Sequence, residues 1–109
     1  MASLQQERFR EHLREVAANF LNRETPSSRS LITVTDATVS PDFKRATIYI
    51  TTIPTSEEER ALDFARRKRS DLRDFLAKTS RLRVLPVIEI KLDLGERNRQ
   101  KIDGLSGGM

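Results

Sequence analysis

The residues best suited to chemistry in this chain are closely spaced cations in its second half. Residues 60–83 contain nine arginines and lysines against three aspartates, a net charge of +6. Residues 1–59 carry a net charge of −2 and residues 84–109 a net charge of zero, so the positive excess lies in one segment. Arginine binds phosphate through paired hydrogen bonds, and clustered cations gain affinity by releasing the counterions of nucleic acids. The pattern favours a polyanionic partner.

The same cations also admit a purely structural interpretation. Asp63 and Arg67, Arg67 and Asp71, and Asp74 and Lys78 are each four residues apart, the spacing at which oppositely charged side chains pair on a helix. A solvated helix face neutralised by its own ion pairs would need no ligand. From the residues alone both interpretations remain open.

Catalytic constellations are not visible in the sequence. Without cysteine, the chain has no disulfide, thiolate metal site or cysteine nucleophile. His12 is the single histidine, and at helical spacing only Glu15 could share a metal with it, which is too few ligands for zinc. Serine and threonine remain as nucleophiles with no histidine relay, and no glycine-rich phosphate loop occurs. We therefore expect a surface histidine with its hydrogen bonds satisfied, no cofactor and no enzymatic activity.

Length and composition indicate one small domain. The chain has 109 residues, of which 37% are hydrophobic and 33% charged. Its N-terminus lacks the apolar run of a signal peptide. Its most apolar run, residues 84–88, is far shorter than the roughly 20 residues that cross a bilayer. We expect a soluble, cytoplasmic protein without a membrane partner.

The elements that must position the cations begin with an amphipathic helix, predicted over residues 4–22. Its apolar residues recur on one face: Phe9, Leu13, Val16, Ala17, Phe20 and Leu21. Alternating residues then predict strands at 31–39 and 46–51, joined by the turn 40–43 as an antiparallel hairpin.

Three residues of the hairpin need separate consideration. We expect Asp42 to accept hydrogen bonds from backbone N–H groups in the turn and Phe43 to pack at the hairpin end. Tyr49 alternates away from the core face. It could stack on a nucleobase, but packing against a neighbouring side chain is the favoured interpretation.

An apolar helical face then starts at Ala61, breaks off after Ala65 and resumes at Leu72. The six residues between, 66–71, are all polar or charged, and a straight helix would bury some of their charge at a large cost. We therefore predict two helices, about 56–67 and 71–80, joined at residues 66–71, which we call the basic elbow.

A last strand is predicted over residues 84–92, with Pro86 marking either its start or an edge position. The polar residues 96–109 are expected to form a flexible tail after a domain spanning 1–95. The element order is thus α-β-β-α-α-β, an α+β domain with helices on one face of a three-stranded sheet.

Three segments in this order resemble the ribosome-binding factor A family, assembly factors of the bacterial small ribosomal subunit. The segments are Ile32-Thr33-Val34-Thr35, then Val39-Ser40-x-Asp42-Phe43-x-x-Ala46-x-Ile48-Tyr49-Ile50, and Arg81-Leu82-Arg83-Val84-Leu85-Pro86 running on to Asp93. With the basic elbow between the second and third segments, the resemblance covers roughly residues 9–93.

The resemblance implies a type II KH domain that binds 16S rRNA on the immature 30S subunit and assists its late maturation, rRNA processing and growth in the cold. It also implies a functional link to an assembly GTPase; a monomer is the default expectation. The family places an Ala-x-Gly kink between the two helices, where this chain has Lys68-Arg69-Ser70. Serine is less favourable than glycine wherever φ must be positive.

With this resemblance, RNA contact becomes the favoured role of the basic elbow. Arg81 and Arg83 could contact RNA or hold the approach to the last strand, and both roles remain open. The predicted RNA-binding residues are Arg66, Arg67, Lys68, Arg69, Ser70, Arg73, Lys78, Arg81 and Arg83.

Two other functions would also use a basic helical surface. One is a protein-interaction module whose basic helix binds an acidic partner, and the other is a general, sequence-blind nucleic-acid binder.

Overall fold

A computed structural model describes residues 3–25, 31–53, 55–80 and 85–95. The predicted tail 96–109 and the candidate residues Arg81 and Arg83 lie outside the described residues. The elements are α1 (Leu4–Glu24), β1 (Leu31–Val39), β2 (Arg45–Ile53), a 3-10 turn (Thr55–Glu57), α2 (Glu58–Arg67), α3 (Arg69–Thr79) and β3 (Val87–Leu92).

The three strands form one mixed sheet in the order β1-β2-β3. The pair β1-β2 is the predicted antiparallel hairpin, whereas β3 runs parallel to β2. A parallel pair needs a crossover connection, and here α2 and α3 form it. The inward residues of β2 and β3, such as Ile48 and Ile90, are buried on the face that the helices cover. The predicted α+β architecture is confirmed.

Helix α1 begins at a reciprocal cap and ends at a threonine. The Ser3 side chain accepts from the Gln6 N–H and the Gln6 side chain accepts from the Ser3 N–H, a capping box. The N–H and the hydroxyl of Thr25 both donate to the Leu21 carbonyl, which carries the helix two residues past the predicted end. All six predicted apolar residues of α1 are buried. In the described part of the chain, no helix is long and apolar enough to cross a bilayer.

The hairpin turn is held by Asp42 and Phe43, as predicted. Asp42 Oδ1 accepts from the Lys44 N–H at 3.0 Å and from the Ser40 hydroxyl at 2.6 Å. These hydrogen bonds lower the pKa of the Asp42 carboxyl. Phe43 has a φ of 60° and its ring centroid lies 5.7 Å from that of Phe9 on α1. The aromatic contact therefore fixes the turn to α1 despite a left-handed backbone at a non-glycine residue.

Two features of the strands differ from the prediction. The register of β1 against β2 shifts between Val34 and Asp36, so Thr35 forms a β-bulge. Strand β3 starts at Val87 and not at Val84. Pro86 has no N–H to contribute to the ladder, and it stands at the start of what is also an edge strand.

The left-handed backbone at Phe43 predicts an unusual order of stabilities. Phe43→Ala removes the ring but keeps the unfavourable φ, whereas Phe43→Gly removes both. We expect the glycine variant to be more stable than the alanine variant by about 1 kcal/mol, with both below the parent chain. Urea denaturation of the three proteins measures this. A glycine variant no more stable than the alanine variant would contradict the positive φ.

Candidate nucleic-acid interface

The basic elbow contains a break of one residue between two helices. Lys68, with φ −91° and ψ 5°, ends α2 and precedes α3. Its N–H donates to the Phe64 and Ala65 carbonyls at 3.2 and 3.1 Å, and its carbonyl accepts from the Leu72 N–H at 2.8 Å. The two predicted helices are confirmed, although α3 begins at residue 69 and not at 71.

No left-handed residue is needed at this break. Ser70 lies inside α3, and Phe43 is the only non-glycine residue with a positive φ in the ranges that the structure describes. Serine at the position of the family's glycine therefore has no backbone cost here, so the expected difficulty at Ser70 is absent.

The break lets the apolar residues on either side of the elbow reach the core while the charged residues stay at the surface. Ala65 and Leu72, on either side of the elbow, are completely buried, so both apolar faces reach the core. The residues of the elbow itself are exposed, apart from a half-buried Lys68. Four consecutive cations, 66–69, therefore surround one turn of backbone at the surface.

Three arginines at this surface bond to backbone carbonyls. Arg66 Nε donates to the Ile90 carbonyl at 3.3 Å, and Arg69 Nε donates to the Arg66 carbonyl at 3.0 Å. Arg73 donates through Nε to Pro86 and through Nη2 to Leu85, both at 3.2 Å. A guanidinium has five N–H donors in a rigid fork, so these bonds orient it and leave further donors for a phosphate.

The remaining cations are not neutralised by the predicted helical pairs. Among the described residues, neither Arg67 nor Lys78 forms an ion pair, and both side chains are exposed. Asp71 instead lies 3.9 Å from Lys68 Nζ, whose charge also lies 5.8 Å from the Phe64 ring centroid. The three ion pairs that the structural interpretation predicted do not form among the described residues. That interpretation is therefore wrong on this point.

The first turn of α3 adds an uncapped helix N-terminus to this charge. Lys68 occupies the N-cap position and provides no side-chain cap. Free N–H groups at a helix N-terminus, with the positive end of the helix dipole, attract phosphate. A helix N-terminus without a side-chain cap, with Asp71 in its first turn, thus lies among the cationic side chains of the elbow.

Two shallow depressions lie at the elbow, and one of them reaches the sheet. One is lined by Asp63, Arg66, Arg67 and Arg69. The other is lined by Arg66, Arg69, Glu89, Ile90 and Lys91. Sequence reasoning missed Lys91, because only the parallel pairing of β3 with β2 brings that strand beside the elbow. No local sequence signal predicts this neighbour.

His12 has a structural role. Its Nε2 lies 2.5 Å from the Ser80 hydroxyl, which ties α1 to the end of α3. Within the described ranges, no group of histidine, cysteine and carboxylate side chains could hold a metal ion. The expected hydrogen bonding of His12 is confirmed, although the residue is half-buried and not at the surface.

Comparison with known proteins identifies the family. The sequence profile described as ribosome-binding factor A matches residues 5–106. The chain belongs to the ribosome-binding factor A family. The ribosome-binding factor A of Methylobacterium sp. (strain 4-46) is 31% identical over 107 residues, covering 94% of this chain and 77% of the relative. That of Magnetococcus marinus is 27% identical, covering 98% and 89%.

Solved structures of ribosome-binding factor A also have this fold. The crystal structure of the Thermus thermophilus protein superposes with a TM-score of 0.71 at 26% identity, covering 80% of this chain and 93% of that one. A homology model of the Thermus thermophilus protein, fitted into a cryo-EM map of its complex with the 30S subunit, has a TM-score of 0.66 at 27% identity, with coverage of 75% and 88%. The predicted fold class agrees with both.

The hydrogen bonds from Arg73 to the backbone predict that this residue stabilises the fold, whereas Arg67 does not. Arg73→Ala removes two hydrogen bonds to the carbonyls of the two residues before β3, so we expect the free energy of unfolding to fall by about 1 kcal/mol. Arg67→Ala removes no such bond and should change it by less than about 0.5 kcal/mol. Urea denaturation at pH 7 measures both values. Equal losses would contradict a structural role for Arg73.

Proposed function

We propose that this chain binds 16S rRNA on the immature small ribosomal subunit and assists its late maturation and rRNA processing. Two findings support the proposal. The chain belongs to the ribosome-binding factor A family, and a structurally similar relative has been fitted into a map of its complex with the 30S subunit. The proposed domain spans residues 1–95 and acts as a monomer in the cytoplasm, with no membrane partner.

The observation that carries the proposal is the arrangement of charge at the basic elbow. Four cations follow one another on an exposed turn, and among them only Lys68 has a carboxylate within ion-pair distance in the described part of the chain. Unpaired surface cations repel one another and stabilise little by themselves, whereas each can release counterions from an RNA phosphate. The uncapped first turn of α3 offers backbone N–H groups to the same anion.

Binding would proceed without covalent chemistry. Arg66, Arg69 and Arg73 are oriented by their backbone bonds and would present the rest of each guanidinium to phosphates. Arg67 and Lys78 would add phosphate contacts without giving up any interaction that stabilises the described part of the fold. Exposed aromatic rings are scarce, so specificity would come from the shape of the RNA and of the assembled subunit.

Release from the subunit is the remaining step of the proposed cycle. A binding mode dominated by phosphate contacts can be reversed by any change in the subunit that moves those phosphates away. We assign that change to an assembly GTPase, in keeping with the resemblance to the family.

Co-sedimentation with free small subunits tests the function and the surface together. The variant Arg67→Ala/Lys78→Ala removes two exposed cations without breaking a backbone bond. We expect the parent chain to migrate with free small subunits on a sucrose gradient at about 0.15 M salt. The variant should remain largely at the top, because two phosphate contacts are lost.

A matched control variant removes the same number of positive charges from elsewhere on the surface. Arg8 and Arg45 are exposed and have no side-chain partner within the described ranges, with Arg8 near the start of α1 and Arg45 on the sheet face opposite the helices. Arg8→Ala/Arg45→Ala should co-sediment like the parent chain. A parent chain that stays at the top of the gradient, or binding that survives ribonuclease, would overturn the proposal in favour of an acidic protein partner.

The salt dependence of binding counts the phosphate contacts. For the parent chain and free small subunits, we expect the logarithm of the affinity to fall steeply and linearly with the logarithm of the salt concentration. The double variant should have a slope smaller by about 1.4 to 1.8, which corresponds to two lost contacts. Filter binding measures both slopes. Equal affinity for an arbitrary duplex DNA would instead indicate a sequence-blind nucleic-acid binder.

A further inference from the structure

A cation outside the basic elbow is stacked on two aromatic rings. The guanidinium carbon of Arg23, in the last turn of α1, lies 4.7 Å from the ring centroid of Phe75 and 5.9 Å from that of Phe20. The two ring centroids are 5.6 Å apart. Phe20 is only 2% exposed and Phe75 packs against the core, so neither ring can move freely. The guanidinium of Arg23 therefore has a preferred position over these rings at the surface.

The hydrogen-bond donors of Arg23 have no partner among the residues that the structure describes. In the described part of the chain, Arg23 forms no ion pair and its side chain donates no hydrogen bond, although α3 contributes Asp71 and Asp74 close to Phe75 in sequence. Stacking uses the face of a guanidinium and leaves the N–H groups at its edge available. A stacked arginine with its donors unused is well suited to bind a phosphate, because its side chain is already ordered.

The position of Arg23 relates it to the elbow. His12 of α1 contacts Ser80 at the end of α3, whereas Arg23, later in α1, contacts Phe75, earlier in α3. The two helices therefore run past one another in opposite senses, and the C-terminal end of α1 lies beside the middle of α3. Phe75 is six residues after Arg69, roughly 9 Å along a helix axis. That span corresponds to about three nucleotides of a helical strand.

We propose that Arg23 is a second phosphate-binding residue, so that the RNA surface extends from the basic elbow along α3 to the end of α1. This inference rests on the proposed function, since its ligand is the backbone of the same RNA. Lys78 lies one turn beyond Phe75 on α3 and is also exposed. Arg23 and Lys78 would therefore add two cations beyond the elbow, on a surface that the exposed Asp71 and Asp74 interrupt.

A structural role for Arg23 makes a different prediction from an RNA-binding role. A cation in the last turn of α1 stabilises the negative end of the helix dipole. Lysine would serve that role equally well, but it lacks the planar fork that stacks on Phe75 and binds phosphate through two parallel bonds. The pair Arg23→Ala and Arg23→Lys therefore separates the two roles, with Arg8→Ala as a control on the same helix.

The experiment measures binding of the full chain to purified free small subunits as a function of salt, with urea denaturation of each variant in parallel. We expect Arg23→Ala to weaken binding about five- to tenfold at about 0.15 M salt and to lower the salt slope by about 0.7 to 0.9. Arg23→Lys should restore the slope, since the charge remains, but should recover only part of the affinity. Arg8→Ala should bind like the parent chain.

The outcomes distinguish this inference from the proposed function. If Arg23→Ala binds like Arg8→Ala while Arg67→Ala/Lys78→Ala is impaired, the inference on Arg23 is wrong and the proposed function stands. If Arg23→Lys restores affinity completely, a non-specific charge effect replaces the stacked contact and the inference again fails. If the parent chain does not bind small subunits, the proposed function fails, and the inference fails with it.

Discussion

The connection from β2 to β3 must satisfy two constraints on which the rest of the structure depends. It must bury apolar residues against the sheet and keep a run of polar residues exposed. Because β3 runs parallel to β2, the chain must return along the sheet through a crossover. The crossover must bury apolar residues on both sides of six consecutive polar ones. A one-residue break at Lys68 turns both apolar faces inward and moves the charges to the surface. The exposure of these cations at one place on the surface is thus a consequence of how the crossover packs.

The residues that would hold RNA also hold the fold. Arg66 and Arg73 join the two crossover helices to the strand that follows, through carbonyls of β3 and of the residues before it. Their orientation is set by backbone atoms before any ligand arrives, which reduces the conformational entropy lost on binding. Substituting Arg66 or Arg73 therefore removes both a charge and a structural hydrogen bond, whereas substituting Arg67 removes only a charge.

Local patterns in the sequence were sufficient for most elements. The apolar periodicity of α1, the turn residues Asp42 and Phe43 and the polar run at the elbow each predict the structure in which they are found. What could not be predicted depends on contacts between distant parts of the chain. Parallel pairing of β3 places Lys91 beside Arg66 and Arg69, and no nearby residue signals it.

The predicted boundaries erred for reasons that are visible in the structure. Helix α3 starts at residue 69, because the single residue Lys68 completes the break that the sequence suggested would take several residues. Strand β3 starts late, because Pro86 cannot donate to the ladder and its carbonyl is taken by Arg73. The bulge at Thr35 follows from the register of the hairpin as a whole, which alternation within β1 does not reveal.

The bond from Arg66 to Ile90 also bears on self-association. Strand β3 is an edge of the sheet, and the backbone groups on its outer side form a template to which a foreign strand can add. The Arg66 side chain occupies one carbonyl in the middle of that template and sets a charge beside it. A second copy of the chain would therefore have to displace the Arg66 guanidinium before its own strand could bond to the Ile90 carbonyl.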